Sequence, residues 1–464
     1  MRWEPHPYQV VGVQWVIEHF GSGIILDPGM GKTSIALAAI DILLKAGKIH
    51  KVLVVAPLRV CKLVWPLEIQ KWDDFNHLDI CNLCELEAKE RIALLKQNHQ
   101  IYLINPESLK IILDPKLWAG QGFDCLIVDE STKFKDTQTQ RFKALKPFLP
   151  QFKRRVILTG TPAPNGYEDL FGQVYICDMG KALGKFITHY RSMYFRQDPF
   201  DNYSLELMPG AAKEIQDKLK DTLIHFSEED FIDLPELVHD RIYVDLPPAA
   251  RRHYVEMQRK FFTLLAGGEP VFAPNAAVVG GKCRQIANGS IYYEGDNANR
   301  RVSPLHFEKI RALADLVEQL QGQPLLTAYE FQFDAESIER TIPRTVNLTT
   351  TKELEYVNES FNRGIIPHLI GHPASMGHGL NLQCACHHVC MFGITWNYEW
   401  YYQFLKRVYR QGNTGEHVTL HWIIARDTLD ERVMNVLASK EATDDDVKNA
   451  LKPPTSRFRH EGVL

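Results

Sequence analysis

A lysine and a threonine at the end of a glycine-bearing loop are the residues of this chain best suited to phosphate chemistry. They close the segment Ile24-Ile25-Leu26-Asp27-Pro28-Gly29-Met30-Gly31-Lys32-Thr33-Ser34. An apolar run ends, a loop follows, and a helix-forming stretch begins. Glycine lets backbone amides turn towards phosphate oxygens, and a helix N-terminus adds partial positive charge. Lys32 suits the β- and γ-phosphates of a nucleoside triphosphate, and the Thr33 hydroxyl suits magnesium. Pro28, Gly29, Met30, Gly31 and Ser34 complete the cradle. The strict G-x-x-x-x-G-K-[ST] pattern is not met, because Leu26 stands where its first glycine belongs. A bare G-x-G-K-T could be a turn that opens a helix; the strand-loop-helix context argues against that.

Three further groups fit the same chemistry. Leu126-Ile127-Val128-Asp129-Glu130 puts two carboxylates at the carboxyl end of an apolar run, where ligands bind in open α/β sheets. Asp129 is suited to hold magnesium, and Glu130 to orient and deprotonate an attacking water. Strand-ending carboxylates often only cap a turn, so the pair gains meaning from following the phosphate loop. Arg155 to Leu158 then delivers Thr159, Gly160 and Thr161 on a tight turn, where two hydroxyls could relay the state of a γ-phosphate. Gln403, Arg407 and Arg410 lie at i, i+4 and i+7, one face of a continuous helix. An arginine there could stabilise transition-state charge; a solvated basic face with Lys406 is the alternative.

The elements that must position these groups follow from hydropathy. Strand-sized apolar runs at Ile24–Leu26, Val52–Ala56, Ile101–Ile104, Cys125–Val128 and Arg155–Leu158 alternate with helical stretches such as Ser34–Lys45. Apolar at nearly every position, they read as strands buried on both faces of a parallel sheet. From 166 to 302 the rhythm changes, and Ala211–Phe226 and Pro248–Leu265 are expected to be amphipathic helices in a mostly helical insertion. Alternation resumes at 303–443, with strands at Leu325–Ala328, Thr345–Leu348, His368–Gly371, His388–Phe392 and Val418–Ile424. A helix is expected over Tyr398–Arg410. The polar stretch from 444 to 464 reads as a frayed tail. The fold class is therefore α/β, with two RecA-like doubly wound lobes, the first at 1–165.

Composition sets bounds on partners. The chain has 464 residues, 45% hydrophobic and 24% charged, with a net charge of -4. No global basic field draws it to nucleic acid, so such binding must come from local loops and amides. The first residues lack a signal-peptide pattern, and no run reaches the length of a membrane span. The nine cysteines read as reduced thiols. Cys81 and Cys84 form a C-x-x-C without an obvious partner pair. Cys384, Cys386, His387, His388 and Cys390 crowd one segment whose alternation sends them to opposite faces. Buried thiols are favoured over a metal site at both places.

Taken in order, the phosphate loop, the acidic pair and the Thr159-Gly160-Thr161 turn resemble motifs I, II and III of superfamily-two helicases. Tyr8-Gln9 ahead of them is similar to the Q motif, which implies that Gln9 reads adenine. Gln403 to Gly412 matches the Q-x-x-x-R-x-x-R-x-G pattern of motif VI, implying Arg410 as the arginine finger and Arg407 as a second contact. The stretch His372 to Gln383 resembles motif V; Ser375 and Gly377 then face the nucleic-acid backbone and Gly379 the nucleotide. Pro57-Leu58-Arg59 resembles motif Ia, and Asn105-Pro106-Glu107-Ser108 motif Ib; such contacts position a strand without reading sequence. The basic run Lys133, Lys135, Arg141, Lys143 and Lys146 reads instead as a solvated helical face.

Several features resemble the Swi/Snf-type DNA translocases more than RNA helicases. Trp396-Asn397 precedes motif VI, a long insertion follows Thr161-Pro162, Leu234-Pro235 with Arg284 to Gly289 resembles the family's linker between lobes, and His306 and Lys309 open the second lobe in the family's manner. Asp129-Glu130-Ser131-Thr132 departs from the usual D-E-A-D, D-E-G-H and D-E-A-H, and Pro28 replaces an acidic residue. The resemblance runs over about residues 2–445 and is closest in compactness to the phage and prophage branch. It implies an ATP- and magnesium-dependent motor on DNA, duplex rather than single-stranded, with the nucleotide bound between the lobes. A monomer in the bacterial cytoplasm is expected. An RNA helicase of the same superfamily and a non-catalytic DNA-binding scaffold are the rival readings. A metabolic or transport P-loop NTPase has no use for motif VI.

Overall fold

The structure is a computed structural model describing residues 1–118, 120–198, 201–231, 233–266, 273–294, 300–376 and 380–453. The chain divides into two compact units, Met1–Ile232 with Lys440–Leu464, and Asp233–Ser439.

The first unit is built on seven strands. They are β1 (Gly21–Leu26), β2 (Val52–Val55), β3 (Ile80–Asn82), β4 (Ile101–Ile104), β5 (Cys125–Asp129), β6 (Arg154–Thr159) and, after the antiparallel hairpin β7 (Phe195–Asp198) and β8 (Asp201–Leu207), β9 (Leu223–Phe226). The sheet order is β3-β4-β2-β5-β6-β1-β9, every pairing parallel. Every residue of β2, β4, β5, β6 and β9 is buried. That is the pattern of strands covered by helices on both faces, and it explains why their apolar runs were readable.

The second unit repeats the plan. Its strands are β10 (Glu236–Val244), β13 (Leu325–Ala328), β14 (Thr345–Asn347), β15 (His368–Gly371), β16 (His388–Met391) and β17 (His417–Ala425). They lie in the order β10-β17-β16-β13-β15-β14, again all parallel. The pair β11 (Ser290–Glu294) and β12 (Arg300–Pro304) forms a separate antiparallel ribbon.

Three expectations need correction. The stretch Ala211–Phe226 is not one helix. The helix ends at Leu219, and Leu223–Phe226 becomes β9, the edge strand beside β1. A four-residue strand after a helix leaves no period of its own to read. The helix from Tyr398 stops at Leu405, so Arg407 and Arg410 lie beyond it and the single-face argument does not hold. The polar end is not frayed at its start: the helix Leu429–Ala450 carries through it, and Asp444, Val447, Lys448 and Leu451 are buried. Residues 454–464 of that stretch lie outside the described residues, as do Gly267 and Gly268.

A polar chain runs through the core of the second unit. Lys309 is fully buried; it pairs with Asp430 at 2.7 Å and donates to Asn288 Oδ1 at 2.9 Å. Asn288 Nδ2 donates to Asp334 Oδ2 at 2.9 Å, which also accepts from the Phe331 N–H at 2.9 Å and the Glu330 N–H at 3.2 Å. Burial pushes Asp334 from an ordinary 3.8 up to about 7, against those donors. Between these two values the folded chain holds a proton that the unfolded chain has lost. Stability therefore falls as pH rises across that window. Asp334→Asn is expected to flatten this part of the slope, read as denaturation midpoint against pH; parallel curves for the two proteins would contradict it.

Candidate functional site

The phosphate loop hangs from the carboxyl end of β1. Gly29 and Gly31 have φ of 98° and 80°, values that side chains other than glycine's resist. The helix Lys32–Lys45 starts at once after Gly31, so its first amides face the loop. Two residues hold the loop from beneath. The Tyr8 hydroxyl and Gln9 Nε2 both donate to the Met30 carbonyl, each at 3.1 Å. Gln9 Oε1 accepts from the His6 N–H at 2.9 Å. The glutamine expected to read a base thus has its amide bonded to backbone in this structure.

Lys32 is half-buried, and its ammonium donates to the backbone carbonyls of Leu26 at 2.7 Å and Asp27 at 3.3 Å. Burial lowers its pKa, opposed by the negative charge of Glu130, Asp129 and Asp27. Thr33 and Ser34 are buried, and the Ser34 hydroxyl donates to Glu68 Oε2 at 3.1 Å. Asp129, the last residue of β5, is 5% exposed. Burial and the neighbouring Glu130 raise its carboxyl from 3.8 to about 6. The Trp65 indole donates to Asp129 Oδ2 at 3.0 Å and the Glu130 N–H to Oδ1 at 3.1 Å. Trp65 was not singled out from the sequence, and nothing in the spacing of a lone tryptophan would have marked it. Glu130 has φ 54°, a left-handed conformation that turns the chain sharply after the strand.

Sheet order brings the third group to these two. β6 lies between β5 and β1 and pairs with both. Its outgoing turn, Thr159-Gly160-Thr161, therefore leaves between the acidic pair and the phosphate loop. A Cβ on Gly160 would sit 3.2 Å from the Leu26 carbonyl oxygen, 3.5 Å from Pro28 Cδ and 3.8 Å from Lys32 Nζ. Thr159 Oγ1 accepts from the Thr161 N–H at 3.2 Å, and Thr161 Oγ1 is buried without a hydrogen-bond partner among the described residues. A buried carboxylate with a raised pKa, a half-buried ammonium and an unsatisfied hydroxyl, all beside a glycine-bearing loop at a helix N-terminus, form a donor set that fits a magnesium-bound triphosphate.

The candidate nucleic-acid residues of this unit leave the same edge of the sheet. Pro57 and Arg59 follow β2, and Asn105 and Ser108 follow the adjacent β4. Pro57, Arg59 and Ser108 are half-buried. The Asn105 side chain is buried, with its Nδ2 donating to Glu107 Oε2 at 2.9 Å. The basic run is spread over three short helices, Ser131–Phe134, Gln140–Leu145 and Lys146–Gln151, so it is not one helical face. Lys135 pairs with Asp169 at 2.9 Å, and Arg141 lies 3.7 Å from Glu107.

In the second unit Gln403, Arg407 and Arg410 are all buried. Arg407 Nε donates to the Gln403 carbonyl at 3.2 Å and Nη1 to the Leu380 carbonyl at 3.1 Å; Arg410 Nη1 donates to Asn381 Oδ1 at 2.7 Å. The arginines thus bind Leu380 and Asn381, within the motif V-like stretch itself. Ser375 is exposed, its hydroxyl donating to the His372 carbonyl at 2.8 Å. Gly377 and Gly379 lie outside the described residues. Eight of the nine cysteines are buried free thiols and Cys384 is exposed. Among the described residues no group of three or more His, Cys, Asp or Glu side chains is placed to hold a metal ion. Nor is any described helix long and apolar enough to cross a membrane.

The family described as SNF2-related domain matches the chain over residues 8–287. The chain belongs to the SNF2-related family. A protein of Acyrthosiphon pisum secondary endosymbiont phage 1, "Putative protein p41", is 36% identical over 97% of this SNF2-related chain and 98% of its own length. The "DNA annealing helicase and endonuclease ZRANB3" of Bos taurus is 24% identical over 94% of the chain and 40% of its own length. The chain thus spans about two fifths of that relative. Among solved structures, the Sulfolobus solfataricus SWI2/SNF2 ATPase core in complex with dsDNA is 20% identical over 99% of the chain and 97% of its own, with a TM-score of 0.45. The SNF2-related chain is a helicase-like core of two parallel-sheet units.

Gly31→Ala tests the loop geometry. The left-handed backbone costs a side-chain-bearing residue about 1–2 kcal/mol, and the new methyl would run into the Gln9 amide. The variant is expected to lose roughly that much stability in denaturant and to bind a fluorescent ATP analogue at least about tenfold more weakly. Wild-type affinity in the variant would refute the placement of the phosphates.

Proposed function

We propose that the chain is an ATP-dependent DNA translocase that hydrolyses ATP to ADP and phosphate and couples this to movement on DNA. The observation that carries the reading is the convergence of Lys32, Asp129 and Glu130 at the ends of β1 and β5, with the Gly160 turn between them. Lys32 leaves its two carbonyls to meet the β- and γ-phosphates, while the amides from Gly29 to Ser34 take the remaining oxygens. Thr33 and Asp129 would hold magnesium, which would supply positive charge to offset that of the phosphates. Glu130 orients the attacking water and takes its proton. Thr159 and Thr161 sense whether the γ-phosphate is present. Arg410 meets the γ-phosphate and Arg407 makes a second contact, supplying positive charge in the transition state. Gln9 contributes to adenine recognition after releasing Met30, and Gln403 and Gly379 contribute to nucleotide binding.

Movement follows if this contact exists only before hydrolysis, since a ligand shifts an equilibrium by its differential affinity for two states. Pro57, Arg59, Asn105 and Ser108 grip the backbone from one unit, Ser375 and Gly377 from the other. DNA rather than RNA is supported by membership of the SNF2-related family and by the name of the ZRANB3 relative. Duplex is the proposed form, and a monomer in a phage-bearing bacterial cytoplasm the proposed setting, after the phage-encoded relative.

An ATPase assay with duplex DNA, single-stranded DNA and RNA tests this. Duplex DNA is expected to stimulate turnover most, and Lys32→Ala to abolish it. Glu130→Gln should bind ATP normally while kcat falls by about 10²–10⁴. Stimulation by RNA alone would select the RNA-helicase reading; DNA binding with no turnover under any condition would select the scaffold.

A further inference from the structure

The helix Leu429–Ala450 brings two charges into the first unit at a point where neither is needed to anchor it. Val447 is fully buried and Leu451 is 3% exposed, so apolar side chains already fix the segment. Yet Asp444 is 0% and Lys448 4% exposed. They form an i,i+4 ion pair at 3.0 Å, and Lys448 Nζ lies 3.5 Å from Asp27 Oδ1. Removing such ions from water costs several kcal/mol each, and apolar residues of similar size often serve stability as well. Burial alone would lower the Lys448 pKa, but Asp444 and Asp27 outweigh it and hold the ammonium charged.

The partners lie on the loops after β1 and β6, where the proposed function places the nucleotide. Asp27 is the first residue of the phosphate loop, and its carbonyl accepts from Lys32. Asp444 Oδ1 accepts from the Ala163 N–H at 2.8 Å, two residues beyond Thr161. His225 in β9 closes the arrangement. Its Nδ1 meets the Lys448 carbonyl at 2.9 Å, and its N–H donates to the Leu451 carbonyl at 3.1 Å. The end of this helix and the residue after it thus touch the loop after β1, the loop after β6 and the strand at the edge of the same sheet.

We propose that Lys448 is a positioning residue for ATP: Asp444 fixes it against the loop after β6, and it in turn fixes Asp27, setting the phosphate loop for nucleotide. None of the helicase-like motifs contains it. The proposal rests on the reading of Lys32 and its loop as an ATP site. It predicts an effect on binding, not on the chemical step.

The test is a double-mutant cycle in the full-length chain with Lys448→Met, Asp27→Asn and the pair, measuring KM for ATP, kcat and the thermal unfolding midpoint. Lys448→Met is expected to raise KM about tenfold with kcat within about twofold, Lys448→Arg to recover part of the loss, and the double variant to be no worse than the worse single. A folded Lys448→Met protein with wild-type KM, or additive effects in the cycle, would overturn the proposal. If Lys448→Met lowers the unfolding midpoint below the assay temperature, the cycle is run with Lys448→Gln, under the same criteria. Should the wild type hydrolyse no ATP, the functional reading fails separately; equilibrium binding of a fluorescent ATP analogue to the same variants then decides the positioning role.

Discussion

An ammonium held among carboxylates at one edge of a parallel sheet is the constraint on which the first unit is organised. Lys32 loses hydration where it sits, and Asp27, Asp129 and Glu130 offset that loss. Those carboxylates come from different strands, so their arrangement depends on strand order. With β6 between β1 and β5, the lysine side and the acidic side are held one strand apart, and the intervening turn must be thin. Gly160 supplies that thinness; a side chain there would press on the Leu26 carbonyl that Lys32 uses. The hydrogen bonds of Lys32 go to the Leu26 and Asp27 carbonyls, and those of Asp129 come from the Trp65 indole and the Glu130 N–H.

The two units share a sheet plan but divide the chemistry unequally. The first presents left-handed backbone at Gly29, Gly31 and Glu130, of which only Glu130 carries a side chain in that conformation. The second places its two arginines in the grip of backbone carbonyls and an asparagine, beyond a helix that ends at Leu405. Guanidinium groups so fixed lose little entropy on meeting an anion.

Much of this was legible in the sequence because the central strands are buried on both faces, so their apolar runs are unbroken. Ile101–Ile104 and Leu325–Ala328 were bounded to the residue, and the loop residues were marked by glycine spacing. What escaped had no local signature. The short β9 is indistinguishable from the end of the helix before it. The spacing of Gln403, Arg407 and Arg410 reads as one helical face, while the chain in fact turns after Leu405. Asp444 and Lys448 look solvated because polar residues usually are; partners at Ala163 and Asp27, hundreds of residues away, accompany their burial. Trp65 failed for the same reason, since its role is defined by Asp129.

The discontinuity of the first unit has a consequence for how the protein comes into being. Seven strands of its sheet are synthesised by Phe226, yet the turn that packs against them arrives only with Lys440 to Leu451. Chains emerge from the ribosome N-terminus first and domains tend to fold as units. Here the nascent sheet must wait, with the sites of Val447 and Leu451 uncovered, while the entire second unit is translated.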